Sequence, residues 1–456
     1  MKKLQVWLWH CTFALIALVA ALQPIPSFAQ EGNEVTSTDI SEMPWWNFHA
    51  QSTYVWQHKN GFYASYSGAQ SLLPEPEDGY TFSVTAYFGA RLWHGAELYL
   101  DPEGVQGKPF SDLHGLDGIN NGEIQKNGGP VMRFYWARAF IRQTIDLGNE
   151  STPVEDDLNQ LAGNYGKRRL VLTVGKLTQT DLFEKNSYAN DPRSQFLNWA
   201  LITHGAWDYA ADALAYSIGA TAELYWDDWV FRMGRYMEPL VANGSVLDYN
   251  LERHHGDTIE LEHDQTTFGF PSIVRLLAFR NLTYAGSYRD AIDAASLTGS
   301  IPDATSVRND AAKHGYGISF EQAIGDDIGV FARGSWADDK IEEYAFTEID
   351  NTVSAGVSIK GNYWHRADDA IGLAFASNGL NKDHRNYLAD GGLGGFLGDG
   401  MLPHYARESV LEAYYNTQLH KGQNFTFDLQ RITNPGYNAD RRGPVNIIGA
   451  RLHVYF

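Results

Sequence analysis

Segments of roughly ten residues in which apolar and polar side chains alternate recur from Trp45 to the end of the chain. A period of two is the pattern of β-strands, whose successive side chains point to opposite faces. The final strand shows it most clearly, because one face is wholly apolar and consists of Ile448, Ala450, Leu452, Val454 and Phe456. Polar and often charged residues fill the opposite faces. This amount of polar surface favours a barrel with a wet lumen over a soluble barrel with a packed core.

The links between these segments alternate in length after the first strand. The strands are predicted near 46–58, 80–91, 94–101, 131–147, 168–176, 211–225, 229–237, 257–268, 271–285, 314–325, 328–338, 351–363, 369–377, 404–420, 423–433 and 446–456. Long links include 59–79, 102–130, 177–210, 238–256, 286–313, 378–403 and 434–445, and the links between them are mostly two to four residues long. An even strand number with long extracellular loops and short periplasmic turns predicts an all-β fold, a 16-stranded antiparallel transmembrane β-barrel of the outer membrane.

One link breaks this alternation. Residues 148–167 form a long connection where a short turn is expected, and they include Glu150, Glu155, Asp156 and Asp157. We expect a solvated periplasmic turn there. Sixteen strands leave an aqueous channel rather than a packed core.

The N-terminus carries the features of an exported protein. Lys2 and Lys3 precede an apolar run, and Ser27-Phe28-Ala29 places small residues at the −3 and −1 positions of a cleavage site. The predicted domains are therefore a signal peptide at 1–29, a periplasmic arm at 30–44 and the barrel at 45–456. The single cysteine, Cys11, lies within the signal, so the mature chain forms no disulfide and no cysteine metal site. A membrane anchor is the alternative interpretation of the apolar run, but the run is short and is followed by Pro24 and Pro26.

Charge and motifs exclude several classes of function. A formal net charge of −20 disfavours nucleic acid as a partner. Neither a Gly-x-Ser-x-Gly elbow nor a His-Glu-x-x-His helix occurs, so we predict no enzyme, no catalytic residues and no cofactor. The His-rich stretches 254–257 and 262–264 could hold a metal at one rim, but such residues are more often solvated, and we predict no metal site.

Residues 174–210 carry a more specific signal. The chain reads Val174-Gly175-Lys176-Leu177, Asp181-Leu182-Phe183, Asn190-Asp191-Pro192-Arg193, Gln195-Phe196-Leu197-Asn198-Trp199-Ala200 and Gly205-Ala206-Trp207-Asp208-Tyr209. This region resembles the carbohydrate-selective porin family, the OprB-type sugar porins of Gram-negative outer membranes. Further agreement at 95–99, 115–118, 368–374, 408–415 and 428–436 spreads the resemblance over most of the mature chain. The 30–44 arm, in which no family helix is recognised, and the 148–167 link depart from it.

The resemblance implies passive diffusion of small carbohydrates, usually glucose-like monosaccharides, through an aqueous lumen narrowed by an inward-folded loop. The implied location is the bacterial outer membrane. The implied partners are the sugar, outer-membrane lipid and the barrel-assembly machinery, which reads a C-terminal strand ending in an aromatic residue such as Phe456. The chain is expected to be a monomer or a homotrimer. A general diffusion porin and a polysaccharide export channel are the alternatives, although export of an acidic polymer would require a more positive lumen.

A sugar porin needs aromatic faces that stack on the pyranose ring and polar groups that replace water on its hydroxyls. In 131–147 the alternation predicts that Phe134, Trp136, Arg138, Phe140 and Arg142 face the lumen and that Ala137, Ala139, Ile141 and Ile145 face lipid. By the same parity the predicted substrate-binding residues are Trp136, Arg138, Arg142, Arg333, Glu412, Glu97 and Glu223. Solvation, or pairing across the barrel, is the alternative role for each charge.

The long loop 177–210 is the expected constriction. Its residues that match the family motif are Asp181, Asn190, Arg193, Asn198, Trp199 and Asp208. They could line the narrow part of the lumen, or they could hold the fold of the loop. The sequence leaves both roles open for each of them.

Overall fold

The computed structural model describes residues 44–124, 129–338, 340–345 and 347–456. The predicted signal peptide and residues 30–43 of the predicted arm lie outside these ranges. Sixteen antiparallel strands close into a barrel in which the first strand, β1, pairs with the last, β18. The predicted fold class is therefore confirmed. Two further strands, β5 and β6, lie outside the barrel sheet. The strands of the described residues are β1 Trp46–Lys59, β2 Glu77–Trp93, β3 Ala96–Lys108, β4 Arg133–Asp146, β5 Ser151–Val154, β6 Gly163–Gly166, β7 Arg169–Leu177, β8 Ser217–Trp226, β9 Trp229–Met237, β10 His255–Thr267, β11 Phe270–Ala285, β12 Asn309–Ile324, β13 Ile328–Ala337, β14 Asn351–Lys360, β15 Ala370–Gly379, β16 Glu408–His420, β17 Gln423–Thr433 and β18 Val445–Tyr455.

The strands orient as the alternation requires, with polar residues inward and apolar residues outward. In β2 the inward Thr81, Ser83 and Thr85 are buried, whereas the outward Phe88 is exposed on the lipid side. A band of exposed aromatic and aliphatic side chains on the outer face is what a hydrocarbon environment favours. Within the described ranges, no helix combines the length and apolar character needed to cross a bilayer.

Residues 178–216, named here the inner loop, run between β7 and β8 and fold into the barrel. They include a short helix, α1 (Trp199–Ile202), which Asn198 caps by accepting a hydrogen bond from the backbone of Ala200. The loop is longer than the predicted 177–210 link, because residues 211–216 belong to it rather than to β8.

The inner loop packs against one side of the barrel through a buried aromatic cluster. The Phe196 ring lies 5.9 Å from Phe331 of β13 and 4.9 Å from Tyr414 of β16, measured between ring centroids. In a ring of sixteen strands, β13 is half-way round from β3. The loop is therefore packed on the β13 side and reaches across the barrel towards β3.

Two further helices, α2 (Tyr288–Thr298) and α3 (Lys382–Ala389), cover the extracellular end of the barrel. They pack on each other through Tyr288 and Tyr387, whose ring centroids are 4.8 Å apart. Short 3₁₀ turns occur at Phe110–Leu113, Gln179–Asp181, Ala304–Val307, Gly361–Trp364, Pro435–Tyr437 and Ala439–Arg441.

The acidic residues Glu150, Glu155, Asp156 and Asp157 of the 148–167 link are exposed, as expected of a solvated connection, but the link is not a simple turn. β5 and β6 form a separate two-stranded hairpin within it. Leu161, at its centre, is buried with 1% of its surface exposed.

Candidate permeation site

The charged groups that face the inner loop from β2, β3 and β4 form one connected cluster. Arg138 of β4 donates two hydrogen bonds of 2.6 Å, from Nε and Nη2, to the carboxylate of Asp181 in the inner loop. Its Nη1 lies 3.6 Å from Oδ2 of Asp101 on β3. The guanidinium also lies 5.5 Å from the centre of the Tyr216 ring, close enough for a cation–π contact. Arg138 therefore joins the wall to the loop.

A second arginine, Arg193 of the inner loop, makes the same connection from the other direction. Its Nη2 is 3.0 Å from Glu103 of β3, its Nε donates to Glu123 at 2.8 Å, and its Nη1 donates to the Tyr87 hydroxyl at 3.2 Å. Burial alone lowers the pKa of Arg193, but the two carboxylates and Tyr87 outweigh it and raise that pKa well above its ordinary value. The side chain therefore remains a cation.

Glu103 connects several of these side chains. Its carboxylate accepts hydrogen bonds from the Tyr135 hydroxyl, from the Tyr216 hydroxyl at 3.2 Å and from Oγ1 of Thr85 at 2.6 Å, besides the contact with Arg193. The name eyelet cluster is used below for Tyr87, Glu103, Tyr135, Arg138, Asp181, Arg193 and Tyr216. It brings two guanidinium groups, two carboxylates and three phenol rings together where the inner loop meets the wall of β2, β3 and β4.

Trp136 does not belong to this zone, and its predicted inward orientation is wrong, as is that of Phe134. Both side chains point outward, with 54% and 78% of their surfaces exposed. The reason is a β-bulge at Ala137, since Asp101 pairs with Arg138 but Pro102 pairs with Trp136. The extra residue reverses the parity of β4 on its extracellular side. Residues after the bulge, including Arg138 and Arg142, face inward as predicted.

Arg333 and Glu412 face inward but are fully buried against the inner loop. Arg333 donates from Nε to Glu184 at 2.8 Å and from Nη1 to the Leu201 carbonyl at 2.7 Å. The Glu412 carboxylate accepts hydrogen bonds from the backbone N–H groups of Leu197 and, at 2.9 Å, of Asn198. Both residues hold the inner loop in place by hydrogen bonds, and they do not line the lumen beside the eyelet cluster.

The other predicted wall residues pair locally. Glu97 accepts a hydrogen bond of 2.8 Å from Tyr99, and Glu223 accepts one of 3.0 Å from Arg232. Arg142 donates at 2.9 Å to the carbonyl of Asn159, in the link that precedes β6.

The six loop residues divide between the two roles that the sequence left open. Asp181 and Arg193 belong to the eyelet cluster. The other four hold the fold of the loop: Asn190 hydrogen-bonds within it, Asn198 caps α1, the Trp199 ring is stacked on Tyr209, and Asp208 forms an ion pair of 2.9 Å with Lys313.

Sequence reasoning missed Glu103, Tyr135 and Tyr216. The strand was predicted to end at 101, but β3 continues to Lys108, and the alternation Asp101, Glu103, Val105 was the available signal. Tyr216 precedes β8, after Ala215 with a φ of +73°, so strand parity does not apply to it. Among the described residues, no group of three or more His, Cys, Asp or Glu side chains is arranged to hold a metal ion.

A closed sixteen-stranded antiparallel barrel whose lumen is narrowed by an inner loop with charged and aromatic residues defines an outer-membrane porin. The chain belongs to the carbohydrate-selective porin family, OprB, whose family model matches residues 69–456. This confirms the resemblance found in the sequence. The protein is an outer-membrane porin for the diffusion of carbohydrates, and its family and fold are those of a channel.

Solved structures of porins share the fold. A high-pH structure of Pseudomonas putida OprB is 17% identical, with a TM-score of 0.68, and the match covers 90% of this chain and 94% of that one. A low-pH structure of the same protein is 14% identical with a TM-score of 0.50, covering 90% and 92% of the two chains. The outer-membrane channel DcaP of Acinetobacter baumannii is 9% identical with a TM-score of 0.50, covering 90% and 97%. Among curated proteins, no sequence matches this chain.

Proposed function

We propose that the eyelet cluster is the sugar-recognising site and that it takes a neutral, glucose-like monosaccharide. The observation that carries this proposal is the pairing of every arginine in the cluster with a carboxylate, Arg138 with Asp181 and Arg193 with Glu103. Arg138 also contacts Asp101 and Arg193 also contacts Glu123, so the site has no excess of positive charge and no net attraction for a small anion. It presents donors and acceptors side by side, as the vicinal hydroxyls of a pyranose require.

The phenol rings supply the second element of sugar recognition. The ring centroids of Tyr135 and Tyr216 are 5.8 Å apart, and the Tyr216 ring lies beside the guanidinium of Arg138. The C–H face of a pyranose is apolar and packs on such rings, while its equatorial hydroxyls reach the charged groups. Trp136, which lies on the lipid side, takes no part.

The test is single-channel conductance in a planar bilayer, titrated with glucose. The parent channel should show saturable block of the ion current. Arg193→Ala should weaken that block by at least three-fold, because it removes a donor and leaves Glu103 and Glu123 without their cation.

The matched control is Arg168→Ala, since Arg168 pairs with Asp227 at the exposed periplasmic rim, away from the cluster. It should leave the block unchanged. Absence of block in the parent indicates a general diffusion porin, and equal block in all three proteins contradicts the assignment of the eyelet cluster.

We further propose that the barrel-assembly machinery recognises the last strand through its terminal aromatic. Phe456 is exposed, its ring centroid lies 5.8 Å from that of Phe48, and its backbone exchanges two hydrogen bonds with Ala50 on β1. Deletion of Phe456 should reduce the amount of folded barrel in the outer membrane, and an unchanged amount contradicts this role. The mass of the purified porin in detergent distinguishes the monomer from the homotrimer.

A further inference from the structure

The connection between β5 and β6 lies inside the mouth of the barrel. Residues 155–162, named here the periplasmic segment, form a tight turn in which Asp157 and Gln160 exchange backbone hydrogen bonds of 3.0 and 3.1 Å. Asn159 occupies the left-handed region of the turn, with a φ of +54°, which asparagine tolerates better than most residues. The turn therefore projects the Asn159 side chain away from the hairpin.

The segment is held by inward-facing residues of β1 and β2. Asn47 of β1 donates to Oδ1 of Asp156 at 2.6 Å and to the Gln160 carbonyl at 2.9 Å, and Nε2 of His49 lies 3.0 Å from Oδ2 of Asp156. Arg91 of β2 donates to the carbonyl of Ala162. These contacts fix the segment against the lumen side of the wall.

The next two strands hold it as well. The Tyr99 hydroxyl on β3 accepts a hydrogen bond of 3.2 Å from the backbone of Leu161, and Arg142 on β4 donates to the Asn159 carbonyl at 2.9 Å. Oδ2 of Asp101 on β3 accepts a hydrogen bond of 2.8 Å from the Asn159 amide. Four neighbouring strands thus hold the segment inside the barrel, against the lumen side of their part of the wall.

The depth of the segment places it directly after the eyelet cluster. A β-strand rises about 3.3 Å per residue, so Asp101 lies about 7 Å from Glu103 along the same face of β3, towards the periplasmic end of that strand. The Asp101 carboxylate also contacts Arg138, with 3.6 Å between Oδ2 and Nη1. Asp101 and Asn159 therefore lie next to the eyelet cluster, on its periplasmic side.

Two acceptors at this point have no donor among the described residues. Oδ1 of Asp101 and Oδ1 of Asn159 are both buried without a hydrogen bond, and Asp101 as a whole is 0% exposed. A buried acceptor without a partner costs about 1–3 kcal/mol, which a donating ligand recovers. Arg142 adds a cation on the same side, with its guanidinium 5.1 Å from the Tyr99 ring centre.

We propose that the periplasmic segment is a second constriction and that Asp101, Asn159 and Arg142 form a second sugar subsite at the exit of the lumen. Sugar hydroxyls donate to the two free acceptors, and Arg142 donates to a ring or hydroxyl oxygen. The identity of the ligand as a sugar rests on the proposed function. The narrowing of the exit rests on the contacts of the segment alone.

The barrel allows a direct test because β4 and β7 already pair beside the link, with Asp146 opposite Arg169. Replacement of residues 148–167 by an Asn-Gly turn should therefore leave sixteen strands closed. We expect its single-channel conductance to rise at least two-fold over the parent. An unchanged conductance in a folded channel overturns the constriction.

Asn159→Gly tests the subsite, because it removes the side chain while keeping a residue that accepts a positive φ. It should weaken the glucose block at least three-fold. Glu150→Ala is the control, since Glu150 pairs with Lys167 on the exposed base of the hairpin, and it should leave both quantities unchanged. An unchanged block in Asn159→Gly overturns the subsite. Absence of block in the parent overturns the proposed function instead, while the conductance of the turn variant still decides the constriction.

Discussion

Acid should loosen the inner loop through His204. The imidazole is 0% exposed and lies against the backbone of Gly317 on β12, where a Cβ on Gly317 would be 2.6 Å from Nε2 of His204. The pKa of His204 is lowered to about 4, mainly by burial and to a smaller extent by the nearby Arg333 and Arg275, although the carboxylate of Glu184 opposes them. The docked loop therefore contains a neutral imidazole.

The sign and size of the effect follow from linkage. When the loop is displaced, His204 regains an ordinary pKa of about 6.5 and binds a proton more readily than in the docked state. Docking is unaffected above pH 6.5 and weakens as the pH falls towards 4. One pKa unit corresponds to about 1.4 kcal/mol, so docking loses about 2 kcal/mol at pH 5 and about 3 kcal/mol at full protonation.

Two readouts measure this change. Between pH 7 and pH 4.5 the inner loop should become more susceptible to limited proteolysis by an acid-active protease, and the single-channel conductance should fluctuate more. His204→Phe keeps an aromatic ring but cannot titrate, so its cleavage by the same protease should change much less over the same range. Equal pH dependence in the parent and in His204→Phe refutes the reasoning, as does a parent that shows no change.

Three further predictions concern the loop and the leader. Gly317→Ala should displace the His204 ring and raise the conductance at pH 7, measured in a planar bilayer. Gly148→Ala should not, because an added Cβ there would meet only the Cβ of Arg168, at 3.7 Å. Glu412→Ala should leave the backbone N–H groups of Leu197 and Asn198 without an acceptor, and each lost hydrogen bond should weaken the docking of the inner loop by about 1–3 kcal/mol. The loop should then be cleaved faster in limited proteolysis, and cleavage at the parental rate would contradict this. The mass of the mature protein should correspond to a chain that starts at Gln30, and a mass that retains residues 1–29 contradicts the predicted cleavage.

The barrel was predictable because each strand carries its own signal. Alternation fixes the orientation of residues such as Glu97, Glu223 and Arg451 without knowledge of their neighbours, and the links fix the strand order. The prediction failed where one residue interrupts the period. The bulge at Ala137 moved Trp136, the aromatic expected beside the sugar, to the lipid face.

The site was less predictable because it depends on contacts distant in sequence. The parity of residues along a strand correctly predicted that Arg333 and Glu412 face inward, but it cannot show that the inner loop covers them. Glu184 and Arg333 are 149 residues apart, and Leu197 and Glu412 are 215 apart. The contact between Asn159 and Asp101 likewise joins a periplasmic link to a strand that precedes it by 58 residues.

The most direct test of selectivity for neutral sugars is the swelling of liposomes that contain the purified porin. Rates would be compared for glucose, for a neutral polyether of similar mass and for gluconate. Because both arginines of the eyelet cluster are paired with carboxylates and sugar hydroxyls are recognised, we predict that glucose enters fastest and saturates with concentration, that the polyether enters more slowly, and that the anion gluconate enters slowest. Rates that follow molecular size alone, without saturation, would contradict a sugar-recognising lumen.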